Sequence, residues 1–144
     1  REHDSRLHHR KVAADAQARP GTERDECELV LGRLRKAIGI EREPSFCDYA
    51  RRSARRLNLA ATSFVNADAR EADLSGGDVY FMYTPFRGAL LRRVLERIAA
   101  EARTRSIRVC SFGPCTAELN TAAWLEPRDP FAGPHSLAIF DNRP

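Results

Sequence analysis

Lysine is scarce in this chain. Of its 24 basic residues only Lys11 and Lys36 are lysines. The positive charge therefore rests on arginine, whose planar fork suits phosphates and carboxylates. No CxxC spacing relates Cys27, Cys47, Cys110 and Cys115. That excludes a zinc ribbon and argues against a disulfide framework in a chain of 144 residues. Cys47 falls in a helical pattern and Cys110 in a strand pattern, so both are expected as small buried apolar residues. A reduced, cytoplasmic setting is the simplest expectation. No apolar run approaches a membrane span, and no signal-peptide pattern opens the chain. Repeats and low-complexity runs are also missing. The first residue is Arg1 rather than Met, which we read as a fragment or a lost start.

What is present suits one folded domain. Hydrophobic residues make up 42% of the chain and charged residues 31%, too apolar for disorder. The net charge of +4 is a small excess over 20 acidic residues, so a solvated surface accounts for most of it. An acidic or nucleic-acid partner remains compatible with the arginines. No membrane partner is expected, and nothing sets an oligomeric state.

Residues 1–26 are polar with little periodicity and read as a flexible or divergent arm. His3, His8 and His9 have no accompanying cysteine or carboxylate pattern, so no metal site is expected. Within the arm, Lys11 to Asp15 could form a weak strand that ends on an acid. From residue 27 to 144 the pattern is that of an α/β domain. Glu28 to Lys36 reads as a short helix weakened by Gly32. Ala37 to Glu41 (AIGIE) reads as a buried strand ending on a carboxylate. Pro44 opens a helix with Phe46, Ala50, Ser53, Ala54 and Leu57 on one side, and Asn58 is its stop. Arg51, Arg52, Arg55 and Arg56 lie opposite, and the plain expectation is a water-facing side.

Thr62 to Asn66 is a third strand. The run Asp78-Val79-Tyr80-Phe81-Met82-Tyr83 follows the Ser75-Gly76-Gly77 turn and closes on Thr84-Pro85-Phe86. A continuous apolar run between turn signals predicts a strand buried on both faces. Gly88 to Arg103 has helical period, and Arg92–Glu96 and Arg97–Glu101 are spaced four apart. Strands are predicted over 107–112, 124–128 and 136–140, with a short helix over 116–123. Strands alternating with helices imply a mostly parallel sheet with an antiparallel C-terminal edge.

Three acids flank these strands. Glu41 ends one strand and Asp68 follows the next, whereas Asp78 begins its strand and so lies at the opposite edge. A carboxylate at a strand tip can accept from two ribose hydroxyls at once. An Asp-Ala pair at the next tip can accept from an adenine amino group and leave room for the ring. Each acid alone has an ordinary alternative as a cap or loop charge.

Ala37 to Glu41, Tyr49-Ala50, Phe64 to Ala69, Asp78 to Phe81 and Tyr83 to Phe86 together resemble the class I S-adenosylmethionine-dependent methyltransferases. They are similar to bacterial members near the disruptor-of-telomeric-silencing-type histone-lysine methyltransferases. The resemblance covers about residues 28–141 and implies a Rossmann-like methyltransferase sheet. It also implies S-adenosyl-L-methionine as cofactor, with Glu41 at the ribose and Asp68 and Ala69 at the adenine. Tyr83, Thr84, Pro85 and Phe86 would face the methyl group and its acceptor. The loop is similar to the Asn/Asp-Pro-Pro-Tyr/Phe loop of amino-group methyltransferases, but Thr84 replaces the first residue and the second proline is missing. The family's glycine loop, Asp-x-Gly-x-Gly-x-Gly, finds its nearest counterpart in Asp15 to Gly21, where only Asp15 and Gly21 fit. Gln17 and Arg19 fall where the cofactor's methionine part would lie, so weak cofactor binding and an incomplete N-terminal part are expected. If Val12 to Ala14 do not supply the family's first strand, the sheet has a gap.

Two other functions compete. One is a non-catalytic binding module that uses the arginine-rich surface on nucleic acid or an acidic protein. The other, a nicotinamide oxidoreductase, lacks its glycine fingerprint.

Overall fold

The computed structural model describes residues 12–13, 36–83 and 86–143. Residues 28–35 of the helix expected over Glu28 to Lys36, the histidines of the arm, Cys27, Asp15, Gly21, Thr84 and Pro85 lie outside them, and Lys36 is not helical.

Seven strands are described. They are β1 (Val12–Ala13), β2 (Ala37–Glu41), β3 (Thr62–Asn66), β4 (Val79–Tyr83), β5 (Arg108–Phe112), β6 (Leu125–Pro127) and β7 (Ala138–Asn142). Three helices accompany them: α1 (Pro44–Arg56), α2 (Ala89–Ala102) and α3 (Cys115–Leu119). One sheet has the order β1-β4-β5-β7-β6, and β2 pairs with β3 in a second ladder. The β1–β4, β2–β3 and β4–β5 pairs are parallel. The β5–β7 and β6–β7 pairs are antiparallel. The short β1 pairs with β4 and lies beside β2, so Val12 and Ala13 supply the strand on which the absence of a gap depended. The mostly parallel sheet with an antiparallel C-terminal edge is thus as expected.

Local sequence explains the helices. Pro44 sits in the first turn of α1, where its missing N–H costs nothing. Cys47, Ala50 and Ala54 form its buried stripe. After Arg56 the chain reverses through Asn58, whose φ of 54° is a left-handed conformation that asparagine tolerates. Gly88 precedes α2 with a φ of 61°, a conformation that a side chain would strain.

The core forms where Leu91, Val94, Leu95 and Ile98 of α2 meet Tyr80 and Met82 of β4, together with Val109, Leu119, Leu125 and Phe140. Tyr80 donates its hydroxyl to the Leu74 carbonyl at 2.7 Å. Gly77 lets that ring come close, since a Cβ there would stand 2.8 Å from it.

Several expectations need correction. β4 is not buried on both faces: Tyr80 and Met82 are buried, while Val79, Phe81 and Tyr83 are half-buried. Its second face therefore carries the aromatic residues that remain partly accessible. Cys110 is half-buried rather than buried, because it shares neither face nor cluster with Val109 and Ser111. Burial still pushes its thiol pKa up. Arg97 does not pair with Glu101: it donates to the carbonyls of Ala69 and Ala72 at 3.1 and 2.7 Å. Glu101 instead pairs with Arg105 at 3.1 Å. The short helix ends at Leu119 rather than 123, and the last strand is shifted two residues towards the C-terminus.

Candidate functional site

In parallel ladders the C-terminal ends of the strands share one edge of the sheet. The registers Glu41↔Asn66 and Tyr83↔Phe112 set the tips of β2 and β3, and of β4 and β5, level with each other. Glu41, Asp68 and Ala69 therefore lie at or just past the C-terminal ends of the β2–β3 ladder, and Tyr83 and Phe86 at or just past those of the β4–β5 ladder. Asp78 lies at the opposite edge, 3.5 Å from the Arg105 guanidinium, as its place at the start of β4 requires.

Glu41 is 7% exposed. A carboxylate so buried must be solvated by the protein, and Oε1 accepts the Glu43 amide N–H at 2.7 Å. The turn around it is clamped. Asn66 Nδ2 donates to the carbonyls of Glu41 and Arg42 at 2.9 and 2.8 Å, and the Ala67 amide donates to the Glu41 carbonyl at 3.0 Å. The loop after β3 is braced from the other side by Arg97, which holds the Ala69 and Ala72 carbonyls.

Asp68 is occupied by its own neighbour. Its Oδ1 accepts from the Arg70 amide and Nε, both at 2.9 Å, and its Oδ2 accepts from Arg70 Nη2 at 2.5 Å. The hydrogen bonds from Arg70 hold its carboxyl pKa down to about 2. A carboxylate offers about four lone-pair sites, so an adenine amino group would have to share Asp68 with Arg70 or displace it.

On the acceptor side, Tyr83 and Phe112 stack with ring centroids 5.6 Å apart and planes inclined by 22°. Phe86 packs against the core. The chain between Phe86 and α2 is tethered by Glu118 of α3, whose two carboxylate oxygens accept the Gly88 amide at 2.9 and 3.1 Å. Beneath, Ser111 and Thr116 share a buried hydroxyl–hydroxyl hydrogen bond of 2.9 Å.

Sequence reasoning missed Asn66, Arg70, Arg97, Phe112 and Glu118. Only Asn66 and Arg70 had a local signal, since they flank the Asp-Ala pair. Among the described residues no group of three or more histidines, cysteines or acids is placed to hold a metal ion, and no helix is long and apolar enough to cross a membrane.

A groove of about 470 Å³ lies elsewhere, between α1 and the outer side of β3. It includes none of the strand-tip residues Glu41, Asp68, Tyr83 and Phe86.

No protein-family model and no curated protein sequence matches the chain. Solved structures do match in fold. An S-adenosylmethionine-dependent methyltransferase from Aquifex aeolicus superposes with a TM-score of 0.64 at 13% identity, covering 92% of this chain and 81% of the other. The Escherichia coli protein yhhF, assigned as a methyltransferase, gives 0.67 at 18% identity over 92% and 77%. An rRNA methylase from Streptococcus thermophilus gives 0.59 at 7% identity over 93% and 87%. The chain has the Rossmann-like fold of these class I methyltransferases.

Proposed function

We propose that this chain is an S-adenosylmethionine-dependent methyltransferase domain whose cleft runs across the tips of β2, β3 and β4. The observation that carries this reading is a buried acid, Glu41, held at the C-terminal tip of a parallel strand, with the stacked Tyr83–Phe112 pair at the C-terminal tips of another parallel pair, β4 and β5. Glu41 fits the cofactor ribose: it is anchored through one oxygen to the Glu43 amide, and a carboxylate has acceptor capacity beyond one hydrogen bond. Asp68 and Ala69 fit the adenine only if Arg70 yields or shares. Asp15 and Gly21, from the sequence resemblance, complete the cofactor side.

The bound cofactor supplies a sulfonium methyl group. The residues around it orient and dehydrate. Tyr83 and Phe86, with Thr84 and Pro85 between them in the chain, form the acceptor wall, and a fixed wall contributes alignment and exclusion of water. Glu118 keeps that wall in place through the Gly88 amide. The finer assignment, to the bacterial group similar to disruptor-of-telomeric-silencing-type enzymes with an altered glycine loop, rests on the sequence resemblance alone. A cytoplasmic location accords with Cys47 and Cys110, which form no disulfide.

Isothermal titration of the whole chain with S-adenosylhomocysteine tests this. Binding is expected, weakened about tenfold by Glu41→Gln, which keeps the shape but removes the charged acceptor. No heat and no thermal shift at millimolar ligand would sink the proposal.

A further inference from the structure

β3 ends its ladder, so its outer edge has no strand beside it among the described residues. The Ala61 carbonyl accepts from Ala37 on β2. In a parallel ladder successive carbonyls alternate sides, so those of Thr62 and Phe64 point outward. Arg51 marks that edge: its Nε and Nη2 donate to the Phe64 carbonyl at 3.2 and 3.0 Å. Its Nη1 also lies 3.1 Å from Asp48. The groove of about 470 Å³ follows this edge, and its lining includes Arg51, Arg55, Asn58 and Ser63 but no Asp or Glu. Arg52 and Arg56 stand exposed on the same helix.

We propose that the outer edge of β3 is a docking strip for an extended acidic segment of a partner protein, which pairs as a strand beside Thr62–Phe64 and places carboxylates on Arg51 and Arg55. Three observations select this occupant. The outward Thr62 N–H already donates to the Leu59 carbonyl at 3.0 Å, so the edge offers an extended peptide the Thr62 carbonyl, the Phe64 N–H and, once Arg51 moves, the Phe64 carbonyl. The lining carries two arginines and no acid, and Asp48 beside it offsets only Arg51, so the strip keeps a positive sign for its partner. Phe64 is its one aromatic residue and is half-buried, so bases of a nucleic acid find no stacking platform. A second copy of this chain is disfavoured, because edge-to-edge pairing would bring Arg51 and Arg55 against their own counterparts.

Arg51 gives the strip a gate. Without a partner, its guanidinium caps the outward carbonyl of Phe64, a cationic block of the kind that keeps edge strands from aggregating. An incoming carboxylate offers the guanidinium a bidentate, charge-assisted alternative. Drawing Arg51 away frees the Phe64 carbonyl for the partner's backbone N–H. Acidity and strand pairing are thereby coupled, and neither depends on methyl transfer.

Fluorescence anisotropy on the full chain tests this with a labelled alternating Glu-Val octapeptide. The controls are the Gln-Val octapeptide, Glu-Val octapeptides N-methylated at every second amide in each register, and an oligouridylate. The Glu-Val peptide should bind, with the Gln-Val peptide and one N-methylated form at least about tenfold weaker, as expected for loss of charge pairs or backbone bonds. Arg55→Glu should cost a similar factor while the far-ultraviolet dichroism stays unchanged, and Arg51→Ala should narrow the preference for Glu over Gln. No binding of Glu-Val at low salt overturns the proposal. So does equal binding by both N-methylated peptides, or tighter binding by the oligouridylate.

Discussion

The two halves of the sheet are held by different forces. From β4 to β7 the chain is organised by apolar burial: Val109 and Phe140 are 0% exposed and α2 lays four apolar residues across the sheet. In the β2–β3 half, β2 alternates buried and half-buried residues but β3 is shallow, with Ser63 and Val65 exposed. There the shape is set by polar clamps at Asn66, Arg51 and Glu41. Burial fixes strands without regard to direction, whereas hydrogen bonds fix the carbonyls and carboxylates one by one. The half that would hold a cofactor is thus the one whose carbonyls and carboxylates are aimed by polar clamps.

The contrast can be broken in each half. Phe140→Ala removes a buried ring from the centre of the core and should cost about 3–5 kcal/mol, read from the denaturant midpoint. The m-value should stay constant if the whole domain unfolds together. A loss below about 1 kcal/mol, within the range of a surface substitution, would deny the apolar half its role. Asn66→Ala should cost less, about 1–2 kcal/mol, because it deletes donors to two carbonyls that can regain water. Asn66→Asp should be worse than alanine, since it aims carboxylate oxygens at the Glu41 and Arg42 carbonyls. Both variants should weaken S-adenosylhomocysteine more than Phe140→Ala does once each is measured well below its unfolding transition.

The same contrast decided what could be read from the chain. Apolar periodicity is local, so the strands over AIGIE and VYFMY and the helix of Leu91, Val94, Leu95 and Ile98 were legible at once. So were the strand tips, because an acid after an apolar run is itself a local pattern. The braces were not. Glu118 reaches the Gly88 amide across 30 residues, and Arg97 reaches Ala69 across 28. Neither spacing leaves a mark in either segment. Arg97 even carried a misleading mark, a Glu four residues on, which lost to two loop carbonyls that had no other described cation. The half-open face of β4 was hidden for a related reason: an apolar run states that a strand can be buried, while its neighbours decide how far.

The smallest effect should come from the Asp68–Arg70 pair, and it bears most directly on the cofactor side. Asp68 has an ordinary carboxyl pKa of 3.8 and is held down to about 2 by hydrogen bonds from Arg70. A lowered folded-state pKa favours the folded chain above pH about 4, and that contribution fades as pH falls through about 2. Arg70 is partly exposed, so solvent and salt screen the pair and the change in stability is slight. Titration of the Asp68 carboxyl by nuclear magnetic resonance reads it without relying on stability. The midpoint should lie near 2 in the native chain and move up towards 3.8 in Arg70→Ala. If Arg70 competes with an adenine amino group, the same variant should bind S-adenosylhomocysteine more tightly. If Arg70 instead only shapes the loop, affinity should fall while the midpoint still rises. The two measurements together separate a guarded acceptor from a purely structural turn.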